Sequence, residues 1–112
     1  MHIHQLIQNI SSHIPFQSEQ AAQQFLNPLA KEDRIALITA MYIGRTHIHL
    51  DKINEDHLEK LRSGEIDRFW DADSVQDNEI ARVLHEKNIN LKSYLDAFVR
   101  CTGNSGINLS NF

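Results

Sequence analysis

Residues 31–44, "KEDRIALITAMYIG", decide the fold. Glu32 and Asp33 fall in what would be a first helical turn, where the helix dipole favours acids. Ile35, Ile38, Met41 and Tyr42 recur at helical spacing and make one apolar face, which Leu37 and Ile43 widen. Side chains this apolar around most of the circumference need neighbours on several sides, so the stretch reads as a central helix over 31–43. Gly44 is placed to end it as a left-handed terminator.

The flanks read the same way. Upstream, Ile3, Leu6, Ile7 and Ile10 repeat at i, i+3, i+4, i+7, and Pro15 bars continuation. Ser18 can cap a second helix carrying Ala22, Phe25 and Leu26, which stops at Asn27-Pro28. Downstream, Asn54 can cap a short helix through Leu58 and Leu61, with Asp56 and Lys60 as a favourable i, i+4 pair. "EIDRFWDAD", residues 65–73, fits a helical turn or a loop. Asp73 with Gln76 reads as a capping box for a helix through Ile80, Val83 and Leu84. After Asn88 or Asn90 a last helix holds Leu91, Tyr94, Leu95, Phe98 and Val99, with Gly103 at its end. No stretch alternates like a strand between hairpin turns. The expectation is all-α: a compact orthogonal bundle of five or six helices in one domain over 1–103. Residues 104–112 would form a flexible tail unless Ile107, Leu109 or Phe112 docks.

At 112 residues the chain has room for one modest core. Its formal charge of −4 argues against a nucleic-acid binder working through a basic surface. The acids are concentrated: residues 51–79 hold ten of the fifteen against Lys52, Lys60, Arg62 and Arg68, a local charge of −6, whereas residues 1–30 carry only Glu19. One cysteine, Cys101, excludes an internal disulfide and fits a reducing compartment. No apolar run nears the roughly 18 residues that span a bilayer. The first residues also lack the basic start and apolar core of a secretory signal, so the expected location is the cytoplasm.

Two stretches invite a functional reading. In "GRTHIHLDKINEDH", residues 44–57, an extended chain would point His47, His49 and Asp51 to one side, with His57 or Glu55 a helical turn further on. Two imidazoles and a carboxylate suit zinc or non-haem iron; the competing reading is a helix-to-helix connection that happens to be rich in histidine. His2 and His4 make a second H-x-H but flank the apolar Ile3 and read as surface. "DADSVQDNE" is not a calcium loop, since Val75 and Gln76 stand where a polar ligand and a glycine belong and Arg82 where the closing glutamate belongs. Cys101, late in a helix, has the dipole against its thiolate and reads as buried rather than nucleophilic. The second stretch is 65–79, where Glu65, Asp67, Asp71, Asp73, Asp77 and Glu79 surround Phe69 and the single tryptophan, Trp70. An aromatic anchor ringed by acids suits docking on a basic protein; the competing reading places both rings in the core.

From "EDRIALITAMYIGR" onward the chain resembles a small bacterial family known only as a domain of unknown function. That family's signature helix reads roughly A-L-x-A-L-M-W-x-G-R, followed by an acidic helix and a closing Y-L-L-x-x-P-L-L-x-D-Y-L-E-E-G-L segment. Ala36, Leu37, Met41, Ile43, Gly44 and Arg45 match the first part, with Tyr42 at the tryptophan position, and Leu84, Leu91, Tyr94 and Leu95 match the closing part. "THIHL" replaces the usual glycine-acid continuation and the closing proline is absent. The resemblance spans residues 28–103 and implies a compact helical domain with no assigned activity. Under it, Arg45 would bond the free carbonyls at the end of the central helix.

These features order three functional expectations. The first is a non-enzymatic protein-binding module without cofactor or metal, docking through Asp67, Phe69, Trp70, Asp71, Asp73 and Asp77. In concrete form it is an inhibitor or immunity-type protein that blocks a basic enzyme, such as a nuclease, with carboxylates where phosphates would sit. The second is a metal-dependent enzyme or metal sensor built on His47, His49, Asp51 and His57. The third is a subunit of an obligate oligomer, a homo-oligomer among the options, signalled by exposed Phe16, Phe25 or Phe112. Neither a membrane nor direct nucleic-acid contact is expected.

Overall fold

The computed structural model describes residues 1–63, 76–110 and 112. Among these the chain is all-helical: α1 (Ile3–Ser11), α2 (Glu19–Leu26), α3 (Lys31–Thr46), α4 (Glu55–Ser63), a 3-10 turn (Asp77–Glu79), α5 (Ile80–Glu86) and α6 (Leu91–Asn104). No helix among the described residues is long and apolar enough to cross a membrane.

α3 is the centre. Every residue from Ile35 to Met41 is buried, which no helix lying on one surface can achieve. α6, α1 and α5 pack against it, and α2 packs on α5. The outer helices bury one stripe each: Ile3, Leu6, Ile7 and Ile10 in α1, and Leu91, Leu95, Phe98 and Cys101 in α6. Ser18 caps α2 as its sequence demands, its hydroxyl accepting the Ala21 N–H at 3.1 Å.

Glycine placement differs from expectation, for steric reasons. α3 does not stop at Gly44 but runs through it to Thr46, with no left-handed residue there. α6 crosses so close that position 44 has no room for a side chain: a Cβ would overlap the Tyr94 carbonyl oxygen and lie 2.6 Å from its carbon. Gly103 likewise sits inside α6, and the terminator is Gly106, with φ of 67°. There the Ile107 N–H reaches back to the Thr102 carbonyl (3.0 Å) and the Gly106 N–H to Gly103 (3.1 Å), the paired bonds of a Schellman ending.

Gln76 is extended (φ −73°, ψ 150°), not helical as a capping box would need, and its carbonyl accepts the Glu79 N–H at 2.9 Å, at the start of the 3-10 turn Asp77–Glu79. Asp73 lies outside the described residues.

The final segment docks. Leu109 and Phe112 are buried, and the Phe112 ring lies 5.0 Å from that of Phe98. Phe16 is buried too, its N–H donating to Asn88 Oδ1 and its carbonyl accepting from Asn88 Nδ2, both at 2.7 Å. This clasp ties the α1–α2 connection to the α5–α6 turn. Phe25 is half-buried, 5.9 Å from Phe16. Phe16 and Phe112 therefore serve the core, and of the three aromatics expected to be exposed only Phe25 keeps part of its surface in solvent.

Candidate functional site

The histidine-rich connection is a corner, and its geometry follows from how α3 ends. The His47 N–H still bonds back to Ile43 and Gly44 (3.2 and 3.1 Å), and the Leu50 N–H then closes a turn on the His47 carbonyl at 2.9 Å. The stretch is not extended, so His47, His49 and Asp51 do not line up: His47 is fully buried, whereas His49 and Asp51 are exposed. His47 Nδ1 lies 2.7 Å from the Ile43 carbonyl oxygen, and the Asn54 N–H donates to Nε2 at 3.1 Å. A carbonyl only accepts and an amide only donates, so Nδ1 carries the proton and Nε2 offers its lone pair. The ring is thus a neutral staple between the end of α3 and the start of α4, with no lone pair left for a metal.

Asn54 caps α4 as read, its Oδ1 accepting the His57 N–H at 3.1 Å. The same oxygen meets His57 Nδ1 at 2.8 Å, and the two imidazoles stand edge to face, 5.6 Å apart. Burial lowers the His57 pKa below its ordinary 6.5, and His47 lowers it further, with Asp56 opposing and Lys60 assisting more weakly. Among the described residues no group of three or more His, Cys, Asp or Glu side chains could hold a metal ion. The spacing in the sequence suggested a ligand set; the turn at 47–50 separates it.

The other wall of the corner was not legible as such. Arg100 on α6 donates through Nη2 to the Leu50 (2.8 Å), Ile48 (3.3 Å) and His47 (3.5 Å) carbonyls, and through Nε to Leu50 (3.2 Å). Cys101 Sγ donates to the Leu50 carbonyl at 3.2 Å, and burial raises its pKa, which keeps the thiol a donor. Asn104 Nδ2 bonds the Asp51 carbonyl (2.7 Å), and the Ile53 N–H bonds Ser105 Oγ (2.9 Å). The available signal was polar residues at 100, 101, 104 and 105, one edge of the last helix. Arg45, expected to bond the carbonyls ending α3, instead lies over the Tyr42 ring at 5.4 Å, while Arg100 from across the bundle bonds the carbonyls of the turn that follows the helix.

The staple makes a direct prediction. His47→Phe keeps a ring of similar size but offers nothing to the Asn54 N–H or the Ile43 carbonyl. Leaving a buried polar group unmatched costs about 1–3 kcal/mol, so a loss of roughly 2–3 kcal/mol is expected in urea unfolding, with or without added zinc. A loss below about 0.5 kcal/mol, within the range of ordinary surface substitutions, would deny His47 this role.

Of the acidic segment, Asp67, Phe69, Trp70, Asp71 and Asp73 lie outside the described residues, and Asp77 opens the 3-10 turn. The described acids next to it are informative. Asp51, Glu55, Asp56 and Glu59 are all exposed along α4 and the turn before it. The ion pairs among the described residues lie elsewhere: Arg82 with Glu79 and Glu86, Lys92 with Asp96, and the terminal amine with Asp33. The expected Asp56–Lys60 contact does not close to an ion pair, as both side chains extend into solvent.

Compared with known proteins, the chain matches no protein-family model, no curated protein and no solved structure.

Proposed function

We propose that the protein is a non-enzymatic binding module, an acidic inhibitor or immunity-type protein that docks on a basic partner enzyme. The observation that carries this reading is the exposed row of Asp51, Glu55, Asp56 and Glu59, none of them in an ion pair among the described residues. Unneutralised surface carboxylates weaken self-association and speed encounter with a positively charged protein. The row leads directly along the chain into residues 65–79, where six further acids flank Phe69 and Trp70 and could supply the apolar anchor such an interface needs. The groups with nucleophilic or acid-base potential at the corner, Cys101 and His47, are engaged with backbone, which favours binding over catalysis. The likeness of residues 28–103 to the small bacterial helical family stays a proposal of kinship and carries no activity into this one.

The test is affinity capture from native lysate with the wild type, with Glu55→Lys/Glu59→Lys and with Trp70→Ala/Asp71→Lys, eluted by a salt gradient. Basic proteins retained by the wild type are expected to elute at lower salt from the first variant and to be lost from the second, with helicity unchanged in both. Identical partner sets for all three would overturn the reading.

A further inference from the structure

We propose that the α1–α2 connection and the α5–α6 turn form one self-complementary face on which a second copy of this chain docks, Ile89 of each copy seated in the hollow beside Phe25 of the other. The contact uses none of the acidic row and stands or falls independently of a basic partner.

Ile89 is the knob. It is 94% exposed, the most exposed large apolar side chain among the described residues. The turn that carries it is stiff. The Asn90 N–H closes on the Lys87 carbonyl at 2.9 Å, and the Asn88 side chain is clasped to the Phe16 backbone by two bonds of 2.7 Å. A β-branched side chain on so fixed a base loses little further freedom when it is covered, which favours association. The hole is next door. Through the same clasp the turn adjoins an open hollow of about 410 Å³, lined by His13, Pro15, Phe16, Gln17 and Phe25 among others. Past the His13–Phe25 ring pair, 4.9 Å apart, lies a second hollow of about 340 Å³ that shares those two rings and reaches Pro28 and Leu29.

Charge selects the occupant. The chain carries −4 overall and a local −6 over residues 51–79, so unspecific approach of two copies is repulsive. Over residues 13–29 and 85–92 the formally charged side chains are Glu19, Glu86, Lys87 and Lys92, which sum to zero. The signs are also divided between the two halves of the face. Lys87 stands two residues before Ile89 on the knob side, and Glu19 opens α2 on the side of the hollow. A two-fold contact that sets each knob in the other copy's hollow brings Lys87 of each copy toward Glu19 of the other, the reciprocity an isologous interface requires. A strongly basic partner would meet no surplus of carboxylates on this face, and an acidic one no surplus of cations.

The experiment is sedimentation of the full chain over a concentration series, as wild type, Ile89→Asp, Lys87→Glu and Lys87→Glu/Glu19→Lys. The wild type is expected to pass from monomer to dimer as concentration rises. A dimer covers two Ile89 side chains, each contributing about tenfold or more in affinity, so Ile89→Asp should weaken association at least about hundredfold. Its helicity should not change, because residue 89 is covered by so little of its own chain. Lys87→Glu should weaken the dimer less, and adding Glu19→Lys should restore it. In a mixture of methyl-labelled and unlabelled wild type, the Ile89 methyl protons should give intermolecular NMR cross-peaks to the Phe25 ring. The proposal is overturned by a wild type that stays monomeric up to about 1 mM, by a dimer that persists in Ile89→Asp, or by Glu19→Lys failing to rescue Lys87→Glu. Should Ile89→Asp not fold, a wild-type dimer without the Ile89–Phe25 cross-peaks overturns it equally.

Discussion

Gly44→Ala is expected to lower the melting temperature by about 12 °C or more, although in an ordinary helix the same change raises stability. Alanine is favoured over glycine inside a helix by roughly 1 kcal/mol, and Gly44 has ordinary helical geometry in α3. Packing decides otherwise. The new methyl group would overlap the Tyr94 carbonyl oxygen, lie 2.6 Å from its carbon and 3.2 Å from the Phe98 nitrogen. All three atoms belong to the α6 backbone, which cannot rotate aside as a side chain would. The helices must separate along their main contact, and overpacking of a core costs about 1–3 kcal/mol, more where nothing yields. A net loss of at least about 3 kcal/mol, at roughly 4–8 °C per kcal/mol, gives the stated shift. Gly103→Ala is the control: it is also inside a helix, no atom lies within 4 Å of its Cβ position, and it should gain about 0.5–1 kcal/mol. If the two alanines behave alike in thermal unfolding, the close α3–α6 crossing is wrong.

Gly44 also marks where sequence reading stops. The apolar spacing of 31–43 announces a buried helix because periodicity is local, and the neighbours of Ser18 and Asn54 announce caps for the same reason. Whether a glycine ends a helix or admits another helix depends on what crosses it, and that information sits fifty residues away at Tyr94 and Phe98. The histidines follow the same rule. "THIHL" has the composition of a metal site, but one turn bond from Leu50 to His47 and the reach of Asn54 send His47 inward and His49 outward. Arg45, read as the residue that would bond the carbonyls ending α3, lies over Tyr42 instead, and Arg100, which no local pattern singles out, reaches the carbonyls of the following turn from α6, a matter of tertiary placement. Docking of the last residues depended on whether Phe112 finds a cavity, which only the packed core can show. The acids of α4 were legible in part: Glu55 and Glu59 stay in solvent, and so does Asp56, whose helical spacing from Lys60 allowed a pair that does not close.

Phe98→Ala is expected to cost about 3–5 kcal/mol, enough to leave a domain of ordinary stability near its unfolding threshold. Phe98 is among the largest fully buried side chains and stands where three parts of the core meet. Its backbone lies at the Gly44 crossing, its ring contacts Phe112 at 5.0 Å, and its carbonyl accepts the buried Thr102 hydroxyl at 2.7 Å. Removing the ring leaves a cavity that rigid helices on both sides cannot close, and it takes from Phe112 the surface on which the final segment rests. Phe112→Ala should cost less, about 2 kcal/mol, because Phe112 lies outside the helices and its surroundings relax more freely than a helix fixed at both ends. The two losses should not add: an aromatic pair in contact couples by roughly 0.5–1.5 kcal/mol, so the double variant should fall short of the sum by that amount. Urea unfolding of the two single variants and the double one measures this directly, provided the slopes stay constant so that midpoints report stability. Simple additivity would mean that Phe112 does not rest on Phe98 in solution. A loss below about 1.5 kcal/mol for Phe98→Ala would remove the ring from the core and with it the packing on which the α3–α6 pair depends.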